Sequence, residues 1–137
     1  MKIAIVVSDF NSEVTKPMLE RASRHAKELK VTVSHTIHVF GIYDMPTVVQ
    51  RLLQRRDVDG VVMLGAVIKG ETLHDEVIAH AVANIAAQLA VKFEKPVGLG
   101  ITGPGMTDAQ AAARIDNAKN AVEAVVRVVR ALKALGE

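Results

Sequence analysis

The stretch GVVMLGAVIKGETLHDEV, running from Gly60 to Val77, changes character three times in eighteen residues. Gly60 to Ala66 is a short apolar run rich in β-branched residues, the pattern of a strand buried on both faces. Lys69 and Gly70 then form a corner. Thr72 opens what reads as a helix, with His74 in its first turn and an apolar pattern continuing to about Phe93. A fully buried strand followed at once by a helix is half of a βαβ unit, and the rest of the chain repeats it.

Toward the N-terminus, Lys2 to Ser8 (KIAIVVS) reads as a first buried strand. A turn follows, then a helix to about Leu29 with Val14, Met18, Ala22, Ala26 and Leu29 at helical spacing. Pro17 suits only the first turn of that helix, which makes Thr15 the expected cap. Val31 to Val39 alternates as a second strand. Phe40 to Tyr43 is a turn, and Asp44 caps a helix whose face carries Val48, Val49, Leu52 and Leu53. Toward the C-terminus, Pro96 to Ile101 is a fourth strand and TGPGM a loop. Thr107 and Gln110 have capping-box spacing at the head of one long last helix. Four β-α pairs predict an α/β domain spanning residues 1–137. Right-handed crossovers give a parallel sheet of order 2-1-3-4 with helices on both faces, a three-layer flavodoxin-like sandwich.

Composition narrows the function classes. The chain has 137 residues, half of them hydrophobic, a net charge of +2 and no cysteine. Disulfides and thiolate metal sites are excluded. Lys and Arg are scattered and form no basic stripe, which argues against nucleic acid as a partner. The N-terminus MKIAIVVSDFN is too briefly apolar for a signal peptide. The longest charge-free run, Val77 to Val91, is too short and too polar to span a bilayer. These features read as a soluble cytoplasmic protein with no membrane partner.

In an open parallel sheet, ligands bind at the carboxyl ends of the strands where the strand order reverses. Here that point lies between strands 1 and 3, beside Ser8 to Asn11 and Val67 to His74. The loops 40–46 and 102–107 form the rim. Gly70, Glu71 and Thr72 then have two readings. Free N–H groups at a helix start, an open glycine backbone and a threonine hydroxyl suit a phosphate. Thr72 with Asp75 is equally a simple helix cap. For His74, the positive end of the helix favours a neutral imidazole able to accept a proton; the plainer reading is a capping or exposed histidine. His80 is six residues on, roughly 600° around the helix, so the two do not share a face and no metal site is expected. Arg114 and Lys119 read as solvated charge, with Glu123 spaced to pair with Lys119. Phe10 either covers a planar ring or packs ordinarily. A phosphoacceptor receiver needs an aspartate where Gly65 and Ala66 stand.

Taken together, SDFN, GIYDMP, LGAVIKGETLHDEV and KPVGLGITGPGMT resemble the 6,7-dimethyl-8-ribityllumazine synthase family, over nearly the whole chain and most specifically in LGAVIKGETLH. The GPGMT loop is similar to the archaeal branch. The resemblance implies condensation of 5-amino-6-ribitylaminouracil with 3,4-dihydroxy-2-butanone 4-phosphate, without metal or organic cofactor. It implies that Phe10 and Asn11 meet the pyrimidine, that Ile42, Tyr43 and Asp44 hold the ribityl chain, and that Val67 and Ile68 offer backbone to the ring. It implies phosphate contacts from Gly70, Glu71, Thr72 and Arg114, with Lys119 a further candidate, and a general base at His74. Leu99 matches a wall contributed by a neighbouring subunit, where many relatives carry Phe, and Phe40 replaces the usual Pro. Pentamers, or shells of pentamers, with sites between subunits are implied as well. An archaeal-type riboflavin synthase, or a non-catalytic flavin-binding or shell-forming protein, is the alternative on the same fold.

Overall fold

A computed structural model describes residues 1–68 and 74–136, with the backbone alone at 103–106 and 108. Its elements in chain order are β1 (Lys2–Ser8), α1 (Ser12–Glu28), β2 (Thr32–Val39), a single 3-10 turn (Ile42–Asp44), α2 (Met45–Leu53), β3 (Gly60–Ile68), α3 (His74–Phe93), β4 (Val97–Met106), α4 (Asp108–Ala113) and α5 (Asn117–Leu135). The four strands form one parallel sheet in the order 2-1-3-4. β1 and β3 sit in the middle, which is why both are apolar on both faces: Ile3 to Val7 and Val61 to Val67 are all buried.

The two faces carry separate cores. Ile3, Ile5, Val7, Val62 and Leu64 point toward α1 and α5, where they meet Met18, Ala22, Val122 and Val126. Ala4, Val6, Val61 and Met63 point the other way, toward Met45, Val49 and Leu53 of α2 and Val82 and Leu89 of α3. The period-two alternation of the central strands thus assigns each residue to one layer. In α5, Val122, Val125, Val126 and Val129 are buried, while Leu132, at the same helical spacing, is exposed together with Val128 and Leu135.

Four local expectations change. The first helix starts at Ser12, not after Thr15. Asn11 adopts the left-handed conformation (φ 61°, ψ 47°), so that its carbonyl accepts the N–H groups of both Val14 and Thr15. Thr15 is therefore a buried helical residue, and Pro17 lies inside the helix, where it removes one bond to the exposed Glu13. The segment 102–106, expected as a loop, extends β4. Pairing with β3 resumes after a register shift, with Ile68 opposite Met106. The last helix is broken. Thr107 and Gln110 form the expected capping box on α4, but the chain leaves helical geometry at Arg114 (φ −107°, ψ 23°) and restarts at Asn117. Neither Gly nor Pro marks that corner; Asp116 and Asn117, which favour helix ends over interiors, are the nearest signal. Glu123 pairs with His25 (3.2 Å) and Arg127 (3.3 Å) rather than with Lys119.

Candidate active site

The carboxyl ends of β1 and β3 open into a cleft of about 460 Å³, within the range of small-molecule sites. Ser8, Phe10 and Asn11 line it from the end of β1, and Ala66, Val67 and Ile68 from the end of β3. Phe40 to Asp44 close one side, and Asp75 and Ile78 reach it from the first turns of α3. Its position follows from topology: β1 connects outward to β2 on one side, and β3 to β4 on the other, so no crossover covers the gap between them.

Each wall has a local cause. The turn after β2 is held by the Asp44 carboxylate, which accepts the Gly41 N–H at 3.0 Å. That folds Ile42 inward, 8% exposed, and leaves Tyr43 outward, 71% exposed. The Ile42 side chain lies against Gly65, where a Cβ would come within 2.5 Å of its Cγ2. The glycine that rules out a receiver aspartate is thus the one that lets this loop close on the cleft. The β1 end is tied to its neighbours by three bonds. Asp9 N–H donates to the Val39 carbonyl (2.8 Å), Phe10 N–H to the Phe40 carbonyl (2.9 Å), and the Asn11 side-chain amide to the Ala66 carbonyl (3.0 Å). Nearby, Asp9 and His38 pair at 2.8 Å on the exposed rim. Ser8 is buried on the cleft floor, and its hydroxyl makes no hydrogen bond among the described residues.

The expected site residues divide into three groups. Phe10, Asn11, Ile42, Tyr43, Asp44, Val67 and Ile68 all line the one cleft. Gly70, Glu71 and Thr72 lie outside the described residues. His74 is the first residue of α3, exposed and next to the cleft-lining Asp75, but does not itself line the described cleft. Leu99, Arg114 and Lys119 stand elsewhere on the same chain. Leu99 is 55% exposed on the edge strand β4. Arg114 is exposed at the corner between α4 and α5, and Lys119 is half-buried in the first turn of α5. Asp75 and Ile78 were not anticipated. The buried face of α3, through Ala79, Val82, Ala86 and Leu89, continues N-terminally through exactly these positions at helical spacing, and that extrapolation was available from the sequence. Among the described residues, no group of three or more His, Asp or Glu side chains is placed to hold a metal ion, and no helix is long and apolar enough to cross a membrane.

The fold and cleft together define a doubly wound α/β protein with a largely apolar cleft at its switch point, rimmed by the carboxylates of Asp44 and Asp75. Residues 1–134 match the family model of 6,7-dimethyl-8-ribityllumazine synthase. A protein of that name from Methanocaldococcus jannaschii is 48% identical over 137 residues, covering 100% of this chain and 97% of its own length. Its namesake from Metallosphaera sedula is 52% identical over 116 residues, 85% of this chain and 77% of its own. That from Pyrobaculum arsenaticum is 47% identical over 138 aligned positions, 100% of this chain and 92% of its own. The chain belongs to the 6,7-dimethyl-8-ribityllumazine synthase family.

Proposed function

We propose that this protein is a lumazine synthase of riboflavin biosynthesis, a transferase that condenses 5-amino-6-ribitylaminouracil with 3,4-dihydroxy-2-butanone 4-phosphate and releases the lumazine, phosphate and water. The observation that carries the reading is the coincidence of the family match over residues 1–134 with a cleft at the β1/β3 switch point.

In this reading the pyrimidine lies against Phe10, with its polar edge toward Asn11 and the backbone of Val67 and Ile68. The ribityl chain runs along Ile42 to Asp44, where a carboxylate and a phenol on a short turn offer both acceptor and donor to its hydroxyls. The phosphate of the second substrate sits at the start of α3, on the N–H groups of Gly70 to Thr72. Arg114 adds a guanidinium suited to two-pronged phosphate contact, with Lys119 a further candidate. Imine formation, elimination of phosphate and ring closure each move a proton, and His74, at the head of the same helix, is the group proposed to carry it.

The location of Arg114 and Leu99 away from the cleft of their own chain supports a site completed by a neighbouring subunit. Apolar surface left open on α3 and β4, at Val77, Ile85, Val91 and Leu99, supports a homo-oligomer, and a pentamer or a shell of pentamers fits the family. α3 is apolar around most of its circumference, as a helix destined for burial is. We read the enzyme as cytoplasmic.

Incubation with both substrates, with the lumazine followed by its fluorescence, tests the proposal. Product formation well above the uncatalysed background is expected; a rate equal to background rejects the function.

A further inference from the structure

We infer that Phe40 is a second aromatic wall of the cleft and touches the planar ring of the bound pyrimidine, making it a specificity-determining residue. The inference rests on the lumazine synthase reading for the identity of the ring.

Phe40 follows the last residue of β2 and lines the cleft together with Phe10. Their ring centroids are 5.9 Å apart and their planes tilted by 47°. At that separation the two rings are already in contact, and a ligand ring cannot slide between them. They form a corner with two open faces instead. A planar heterocycle stacked on one ring is then tilted by the same 47° to the other and reaches it along one edge. The corner is fixed at its base, because the Phe10 N–H donates to the Phe40 carbonyl at 2.9 Å.

Exposure separates Phe40 from ordinary packing. It is 75% exposed, more than Phe10 at 59%, and is packed in neither core. A phenylalanine whose ring contact among the described residues is another exposed phenylalanine contributes little to folding. It lines the cleft whose floor is Ser8 and aliphatic side chains and whose rim carries Asp44 and Asp75. Within this chain it is positioned as recognition surface.

The test compares Phe40→Ala, Phe40→Leu and Phe40→Tyr with the parent protein in two assays. Calorimetric titration with 5-amino-6-ribitylaminouracil reads binding without turnover, and steady-state kinetics reads KM for each substrate. Phe40→Ala is expected to weaken pyrimidine binding and raise its KM on the order of tenfold, within the span observed for stacking contacts. KM for the butanone phosphate stays within about twofold. Phe40→Tyr keeps near-parental affinity and Phe40→Leu falls between. Unchanged pyrimidine affinity in Phe40→Ala overturns the inference while parental turnover leaves the function standing. So does a change of oligomeric mass in sedimentation with affinity unchanged, which would assign Phe40 to a subunit contact. A parent that binds the pyrimidine but forms no lumazine rejects the function and leaves the Phe40 contact intact. A parent that does not bind the pyrimidine overturns both.

Discussion

The side-chain amide of Asn11 donates to the carbonyl of Ala66 at 3.0 Å, joining the loop after β1 to the end of β3 across the mouth of the cleft. The donor must be the amide nitrogen, because a carbonyl only accepts. Asn11 also holds a left-handed backbone (φ 61°) that begins α1, a conformation asparagine tolerates better than most residues. Asn11→Ala removes the bond and keeps the backbone requirement, so it is expected to lower stability by about 1–2 kcal/mol and to weaken pyrimidine binding. Asn11→Asp places a carboxylate oxygen against the Ala66 carbonyl and is expected to be worse. Urea unfolding of both variants checks this; stabilities equal to the parent would show that the bond does not hold the mouth.

Gly65 and Gly98 are both close-packed but guard different things. A Cβ at Gly65 meets Ile42 Cγ2 at 2.5 Å and Ser8 Oγ at 3.2 Å, so Gly65→Ala pushes the turn carrying Ile42 off the cleft. A Cβ at Gly98 meets the Ala121 carbonyl oxygen at 2.8 Å, against α5. Each substitution is expected to cost about 1–3 kcal/mol through overpacking. Only Gly65→Ala should also raise KM for the pyrimidine. Kinetics that change equally in the two variants would contradict the assignment of Ile42 to the site.

His74→Ala is expected to reduce kcat roughly 100-fold, at the low end for a positioned proton-transfer group, with the thermal midpoint little changed because the residue is exposed. An unchanged kcat across the pH range removes His74 from the mechanism.

Arg114→Ala is expected to raise KM for the butanone phosphate at least about tenfold and KM for the pyrimidine little, since a charge-assisted contact to phosphate is lost. Mixing Arg114→Ala subunits with subunits defective at Phe10 should restore some activity if each site draws on two chains. Equal effects on both substrates would contradict a phosphate role.

The His25 ring, 5% exposed, lies between Glu28 (3.3 Å) and Glu123 (3.2 Å), bridging α1 to α5. Its hydrogen bond to Glu123, aided by Arg127, holds the Glu123 carboxyl below the usual glutamate range against the opposing effect of burial. A depressed carboxylate stabilises the fold above its unfolded value, about pH 4.3, and that contribution disappears as the pH falls through the folded value. Glu123→Gln should therefore melt at a lower temperature than the parent at pH 7, with the difference closing toward pH 3. A difference constant from pH 7 to pH 3 would contradict the linkage.

The architecture was legible because β1 and β3 are apolar on both faces, which only the centre of a parallel sheet explains. Strand order and the switch point followed. The walls of the cleft at Phe10, Asn11 and Ile42 to Asp44 were legible as loops at that point. What escaped had weaker local signals. The corner at Arg114 contains neither Gly nor Pro, so the capping tendency of Asp116 and Asn117 was the only cue. Thr15 looked like a cap because Pro17 follows it, yet a left-handed Asn11 starts the helix earlier. His25 gave no sign of its partner, since Glu123 is brought to it by tertiary packing of α5 on α1. Leu99 on β4 and Arg114 at the α4–α5 corner stand away from the cleft of their own chain, and no local sequence pattern says where they lie relative to it.

A crystal structure of the assembled protein with a non-reactive analogue of 5-amino-6-ribitylaminouracil and inorganic phosphate tests the central claim most directly. The account predicts the pyrimidine in the β1/β3 cleft against Phe10, the ribityl chain along Ile42 to Asp44, and phosphate at the start of α3 beside an arginine, Arg114, from an adjacent subunit. An analogue bound anywhere else, with this cleft empty, would contradict it.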